Sequence, residues 1–269
     1  MQNGANRRTQ VEWSSTVRPF SGRVNPGKPQ VGRPGQPVAE NRPMHTTLDL
    51  ARWPRRAAFD YFRSFDAPWF GLCTRVDVAP LKRALADTGV GTLSLACHYL
   101  ALRLANEVEP FRYRLAGTPA APEVRVHAVV HAGTTVLRED ESFAFAELQH
   151  QADYATFAAG AATEIAAART GSDFESRPEH DATIHITTVP WVHFTSFVHA
   201  RHPGLAPSVP KIAFGRIDAE PPLAGATPRL WMPLAVDVHH GLMDGLHVGR
   251  FVQGFEALLQ APRTWLPQA

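Results

Sequence analysis

Residues 230–259 read LWMPLAVDVHHGLMDGLHVGRFVQGFEALL, and this stretch decides the fold. Its first half has period two. Leu230, Met232, Leu234, Val236 and Val238 share one face of a strand over 229–240, and His240 continues that face. An imidazole therefore emerges at a strand end from apolar surroundings. Desolvation there disfavours the imidazolium, which suits a neutral ring acting as a base. His239 points to the opposite face, beside Asp237. Gly241 to Gly245 then form a turn, with Asp244 placed to cap a helix. Val248, Phe251, Val252, Phe255 and Leu258 recur at helical spacing, so a helix from about 245 to 260 packs down along that stripe.

Outward from this stretch the pattern stays mixed. Residues 52–64 predict a short helix with Pro54 in its first turn. Residues 69–78 predict a strand, and 79–87 and 92–107 predict helices, the second with Leu93, Cys97, Leu100 and Leu104 on one stripe. Strands are expected near 111–115, 123–131 and 134–137, an Ala-rich helix over 151–170, and further strands over 183–189, 192–200 and 211–217. There is neither an internal repeat nor regular β–α alternation. The expected class is α+β, with one large mixed β-sheet flanked by helices. Cys73 in a strand and Cys97 in a helix are both expected in the core.

Composition narrows the function classes. The chain has 269 residues, 44% hydrophobic and 19% charged, with a mean hydropathy of −0.19. No apolar run reaches the roughly 20 residues that span a bilayer, and no apolar stretch of signal-peptide length stands at the N-terminus. Two cysteines exclude a disulfide scaffold and a Cys-rich zinc module. A reducing cytoplasm and no membrane partner are the expectation. Residues 1–43 carry six Arg and Lys28 against Glu12 and Glu40, a net charge of +5, which leaves −3 for the rest. The folded part is thus no nucleic-acid binder by bulk charge. The tail is Pro/Gly-rich with sparse, aperiodic apolar residues, so it is expected to be disordered, or to precede a true start at Met44. A single domain over 44–269 is expected.

HHGLMDGLHVGRF also matches the HHxxxDG signature of CoA-dependent acyltransferases. Chloramphenicol acetyltransferases, lipoamide acyltransferase cores and peptide-synthetase condensation domains share it. Two more segments favour the first. ITTVPWVHFTSF (186–197) resembles that family's hydroxyl-x-x-Pro-Trp-x-x-Phe-x-x-Phe stretch, and DLARWPRRAAFDYFRSF (49–65) resembles its Trp-x-Arg helix. LREDESFAFAEL (137–148) is a looser match. The blocks occur in the family's order, so the resemblance spans about 46–262. A full condensation domain is too long for this chain, and residues 1–43 are too short for lipoyl and subunit-binding domains.

The resemblance implies a trimer-forming fold and acetyl-CoA as co-substrate, with no metal. His240 is then the catalytic base and Thr187 the donor to the oxyanion, where the family usually has serine. Thr188 lies one residue off register. Asp244 pairs with Arg55, or with the adjacent Arg56, and supports the turn. Phe62, Leu137, Trp191 and His199 are candidate walls of the acceptor pocket, with Trp191 also readable as packing alongside Phe194. His239 and His247 read as structural. His185, His193 and His199 share strand parity, but no carboxylate or cysteine completes a metal site. The implied partners are a homotrimer, with sites between subunits, and a small hydroxyl-bearing acceptor. Chloramphenicol is one candidate acceptor, and another alcohol, such as a natural product or sugar, is the alternative. His199 departs from the apolar residue usual at its place, and the loop 172–182, with Phe174, aligns poorly. A catalytically degenerate binding trimer is the non-enzymatic rival.

Overall fold

The computed structural model describes residues 44–171, 181–201, 208–221 and 227–268. The tail 1–43 and Phe174 lie outside the described residues. In chain order the elements are β1 (His45–Thr47), α1 (Arg56–Phe62), β2 (Trp69–Asp77), α2 (Ala79–Thr88), α3 (Leu93–Glu107), β3 (Tyr113–Gly117), β4 (Pro122–His127), β5 (His131–Leu137), β6 (Phe143–Leu148), α4 (Tyr154–Thr170), β7 (Thr183–Val189), β8 (Lys211–Gly215), β9 (Asp218–Ala219), β10 (Leu230–His239) and α5 (Gly245–Gln260). Among the described residues no helix is long and apolar enough to cross a membrane.

A seven-stranded sheet runs β2-β10-β8-β7-β5-β6, with β9 added beside the start of β10. β7 runs parallel to β5 and β8, while β10 is antiparallel to β2 and β8. The sheet is therefore mixed, as expected. Even-numbered residues of its strands, among them Ile184, Ile186, Ile212, Phe214, Leu234, Val236 and Val238, pack with Leu100, Leu104, Phe157, Phe251 and Phe255 of α3, α4 and α5 into one core. Burial of that apolar face, at about 25 cal/mol per Å², drives the layering. Side-chain caps start three helices: Thr92 Oγ1 accepts from the Leu95 N–H at 3.2 Å, Asp153 Oδ1 from Thr156 at 2.8 Å, and Asp244 Oδ1 from Leu246 at 3.1 Å.

The other face of the sheet is barer. Leu137 is paired with Phe143 on it, Phe145 lies beside Phe143 on the same strand, and all three are exposed. Segment 190–201 lies over part of it, seating Phe194 and Phe197 on Ala213 and Ala235.

Four expectations are corrected. There is a second sheet, β1-β4-β3, with its own core of Phe59, Tyr113, Val124 and Leu242. Residues 192–200 form no strand; Arg216 N–H bonds the Val192 carbonyl at 2.8 Å and the aromatic rings pack down, so the alternation is met by burial rather than by a ladder. The helix expected over 52–64 is only Arg56–Phe62, because Asp49 Oδ1 takes the Ala51 and Arg52 N–H groups in a turn before Pro54. Cys73 is exposed, since β2 is the sheet edge and Cys73 sits on its barer face, whereas Cys97 is buried.

Candidate active site

β10 ends at His239, one residue short of the expected strand, and His240 enters the turn that follows. Its N–H donates to the Pro68 carbonyl at 2.7 Å. Phe62 stacks on the imidazole at 3.7 Å between centroids and 11° between planes, and Phe70 lies 4.6 Å away. Nδ1 is 3.2 Å from the Met243 carbonyl oxygen. A carbonyl only accepts, so Nδ1 must carry the proton in this bond. In the neutral ring that leaves the lone pair on Nε2. Phe70 and the Met243 carbonyl were not singled out from the sequence. Phe70 was legible as the alternate apolar residue of β2, whereas a carbonyl leaves no sequence signal.

The turn is tied from outside. Arg55 Nε lies 3.1 Å from Asp244 Oδ2, Nη1 donates to the Gly241 carbonyl at 3.2 Å, and Nη2 donates to the His240 carbonyl at 3.3 Å. Arg56 instead pairs with Asp60 on its own helix, so Arg55 is the partner of Asp244. Leu242, fully buried with Phe59, anchors the turn to the small sheet. Burial alone would raise the Asp244 pKa, but His247, Arg55 and the Leu246 N–H together hold it below the usual carboxylate range. Its contribution is therefore present at neutral pH and is lost as pH falls through the depressed pKa. Asp244→Asn is expected to lower Tm at pH 7, with the gap to wild type closing as pH drops below about 4, the ordinary Asp value. A Tm gap that stays constant to pH 3 would contradict the ion pair.

His239 faces the other way, edge-on to Trp69 at 5.9 Å, and its Nδ1 accepts the Gly241 N–H at 3.1 Å. A Cβ on residue 241 would stand 3.0 Å from this ring, which explains the glycine. Burial, then the nearby His240, pushes the His239 pKa from 6.5 down to about 4. The folded state keeps it neutral while the unfolded chain takes up a proton, so stability falls as pH drops from 6.5 toward 4. The loss from this residue is roughly 3 kcal/mol. His239→Asn keeps an acceptor for Gly241 and does not titrate. It is expected to make the urea midpoint fall less steeply over that window, with His199 still contributing to the remaining slope; an unchanged pH slope would contradict this account.

Thr187 lies on the barer face of β7, opposite Ala213, which is opposite Ala235. Thr188 points the other way, and its hydroxyl is buried without a partner among the described residues. His240 is five residues beyond Ala235 and two strands across from Thr187, on the order of 20 Å away. It also stands on the helix-covered side with Phe70. One copy of the chain thus keeps His240 and Thr187 apart. Of the pocket candidates only Phe62 touches His240. Leu137 is 48% and Trp191 62% exposed.

The His199 side chain is 10% exposed, with Nδ1 3.9 Å from Asp237 Oδ2. Asp237 already takes two 2.9 Å bonds from Arg201. Burial, then Lys211, His185 and Arg201, push the His199 pKa down to about 4, so the ring is neutral. At 3.9 Å it makes neither an ion pair nor a hydrogen bond with Asp237. Among the described residues no group of three or more His, Cys, Asp or Glu could hold a metal ion.

The chloramphenicol acetyltransferase family model matches residues 44–256. A chloramphenicol acetyltransferase of Streptomyces acrimycini is 31% identical over 229 residues, covering 83% of this chain and 98% of that protein. A solved chloramphenicol acetyltransferase superposes with a TM-score of 0.67 at 24% identity, covering 80% of this chain and all of the other. A dihydrolipoamide acetyltransferase of Azotobacter vinelandii shares the fold at a TM-score of 0.56 and 21% identity, covering 89% of this chain and 99% of that one. With the HHxxxDG turn, the Arg55–Asp244 pair and the mixed sheet in place, the chain belongs to the chloramphenicol acetyltransferase family of acyltransferase enzymes.

Proposed function

We propose that this protein moves an acetyl group from acetyl-CoA to a hydroxyl of a small molecule, with His240 as general base. The observation that carries the reading is the Nδ1 contact to the Met243 carbonyl, which leaves the His240 Nε2 lone pair for the acceptor hydroxyl. Nε2 takes the hydroxyl proton as the oxygen attacks the thioester carbonyl. The tetrahedral oxyanion accepts a hydrogen bond from Thr187 of a neighbouring copy. Collapse breaks the carbon–sulfur bond, and the imidazolium returns its proton to the thiolate of CoA. No covalent enzyme intermediate and no metal enters this sequence. Arg55 and Asp244 hold the turn, while Phe62, Leu137, Trp191 and His199 line the acceptor side. The separation of His240 from Thr187, together with the exposed Leu137, Phe143 and Phe145, supports assembly as a homotrimer with sites between subunits.

Chloramphenicol is the first acceptor to test, because the relatives carry that name. A second reading, the same chemistry on another alcohol, is favoured by His199, which sets a neutral imidazole where the resemblance calls for an apolar side chain. The test is thiol release from acetyl-CoA with chloramphenicol as acceptor. Saturable release establishes the first reading. Acetyl-CoA binding without release on chloramphenicol directs the search to other alcohols. Failure to bind acetyl-CoA overturns both readings.

A further inference from the structure

The barer face of the large sheet carries charged side chains close to Thr187. Thr187, Ala213 and Ala235 form one row across β7, β8 and β10. Two residues along, about 7 Å away, the next row is His185, Lys211 and Asp237. Asp237 and Lys211 are both buried, under the segment that follows β7. Lys211 Nζ donates to the Ala200 carbonyl at 2.6 Å, and Arg201 donates to both Asp237 oxygens at 2.9 Å. Asp237 lies two strands and one row from Thr187, about 12 Å along the same face. An acceptor whose hydroxyl meets the thioester at Thr187 can extend over this row.

Arg201 is the member of this group that reaches solvent. Its side chain is 30% exposed, and its guanidinium carbon lies 5.1 Å from the centre of the Trp69 ring. Both bonds to Asp237 leave from Nη2. Nε and Nη1 make no hydrogen bond among the described residues, so the guanidinium keeps donors for a second anion, and its planar fork matches a carboxylate or a phosphate. His199 stands beside it. Neither nitrogen of that buried ring makes a hydrogen bond of ordinary geometry among the described residues. After burial, the neighbours that act most on the ring, Lys211, His185 and Arg201, all disfavour a positive charge there, and the Ile212 backbone opposes them most weakly. The local field therefore suits an anion. We propose that Arg201 is a specificity-determining residue, and that it selects an acceptor alcohol carrying an anionic group, a carboxylate or a phosphate, at the end remote from the acetylated hydroxyl. This inference rests on the reading of Thr187 as the oxyanion donor and gives the second acceptor reading a chemical class.

The test uses the full chain and thiol release from acetyl-CoA with three matched acceptors: para-(hydroxymethyl)phenylacetate, its methyl ester, and para-(hydroxymethyl)benzyl phosphate. The wild type is expected to show a kcat/KM about 10- to 100-fold higher on an anionic acceptor than on the ester, the usual worth of hydrogen bonds to a charged group. Whether the carboxylate or the phosphate gains more identifies which anion the site takes. Arg201→Gln is expected to abolish most of that ratio. Arg201→Lys keeps a cation on Asp237, so it protects the fold, but it loses the planar fork and is also expected to lower the ratio. Equal turnover of ester and anions by the wild type overturns the inference, and this comparison stands even if neither variant folds. A preference for the anions that survives both substitutions overturns the role of Arg201. Wild-type release on chloramphenicol with none on either anionic acceptor overturns this inference alone and leaves acetyl transfer standing. A wild-type chain that releases no thiol with any alcohol overturns the functional reading and this inference together.

Discussion

Replacing His240 with alanine is expected to lower kcat by about 10²- to 10⁴-fold, the usual contribution of a positioned general base. The substitution removes the Nε2 lone pair and the Nδ1 bond to Met243 together. It leaves Arg55, Asp244 and the Leu242 anchor in place, so the variant is expected to fold and to bind acetyl-CoA with nearly wild-type affinity. The His240 backbone carbonyl remains for Arg55. His240→Gln offers a polar atom but no base, and is expected to be as inactive as the alanine variant. Activity within about tenfold of wild type, which is less than a general base usually supplies, would show that another group removes the proton.

The second large effect belongs to Thr187. A single oxyanion donor contributes about 10²- to 10³-fold in kcat. Thr187→Val keeps shape and β-branching, and so leaves the β7 ladder to Ala213 undisturbed. It is expected to lose that factor with KM nearly unchanged. Thr187→Ser is expected to match or exceed wild type, because serine keeps the hydroxyl and removes the methyl that restricts its rotation. The control is Thr188→Val. Its hydroxyl is buried without a hydrogen bond among the described residues. Its loss is expected to leave kcat unchanged and to cost no stability. A large kcat effect at Thr188 and none at Thr187 would mean that the two roles are exchanged.

Much of the fold was legible because the apolar residues repeat at the right spacing. β10 and α5 show clean periods of two and 3.6, and the even residues of β10 do enter the core. Where an element is short, no period exists to read. β1 has three residues, and the small sheet it joins was missed with it. Phe143–Leu148 alternates aromatics with Ala144, Ala146 and Leu148, a strand signal that was present but noted only as a family segment. Segment 192–200 shows the opposite failure. Its Val, Phe and His residues look like a strand, yet they cover a sheet face instead of joining it.

The site divides the same way. The parity of β10 correctly set His240 beyond the apolar face and His239 opposite it. The Arg55–Asp244 pair, 189 residues apart in sequence, came only from the resemblance, since local spacing carries no trace of such a contact. The distance between Thr187 and His240 needed the strand order, which one sequence does not encode in any local pattern.

The central claim is that a working site joins His240 of one copy to Thr187 of another. Subunit mixing tests it directly. His240→Ala and Thr187→Val chains, each nearly inactive alone, are unfolded, mixed in equal amounts and refolded together, and thiol release from acetyl-CoA is then measured. A site shared between copies regains activity, because a Thr187→Val chain supplies His240 and a His240→Ala chain supplies Thr187. Random assembly into closed rings restores about a quarter of the sites. A mixture no more active than its two components would place both residues within one copy and contradict the account.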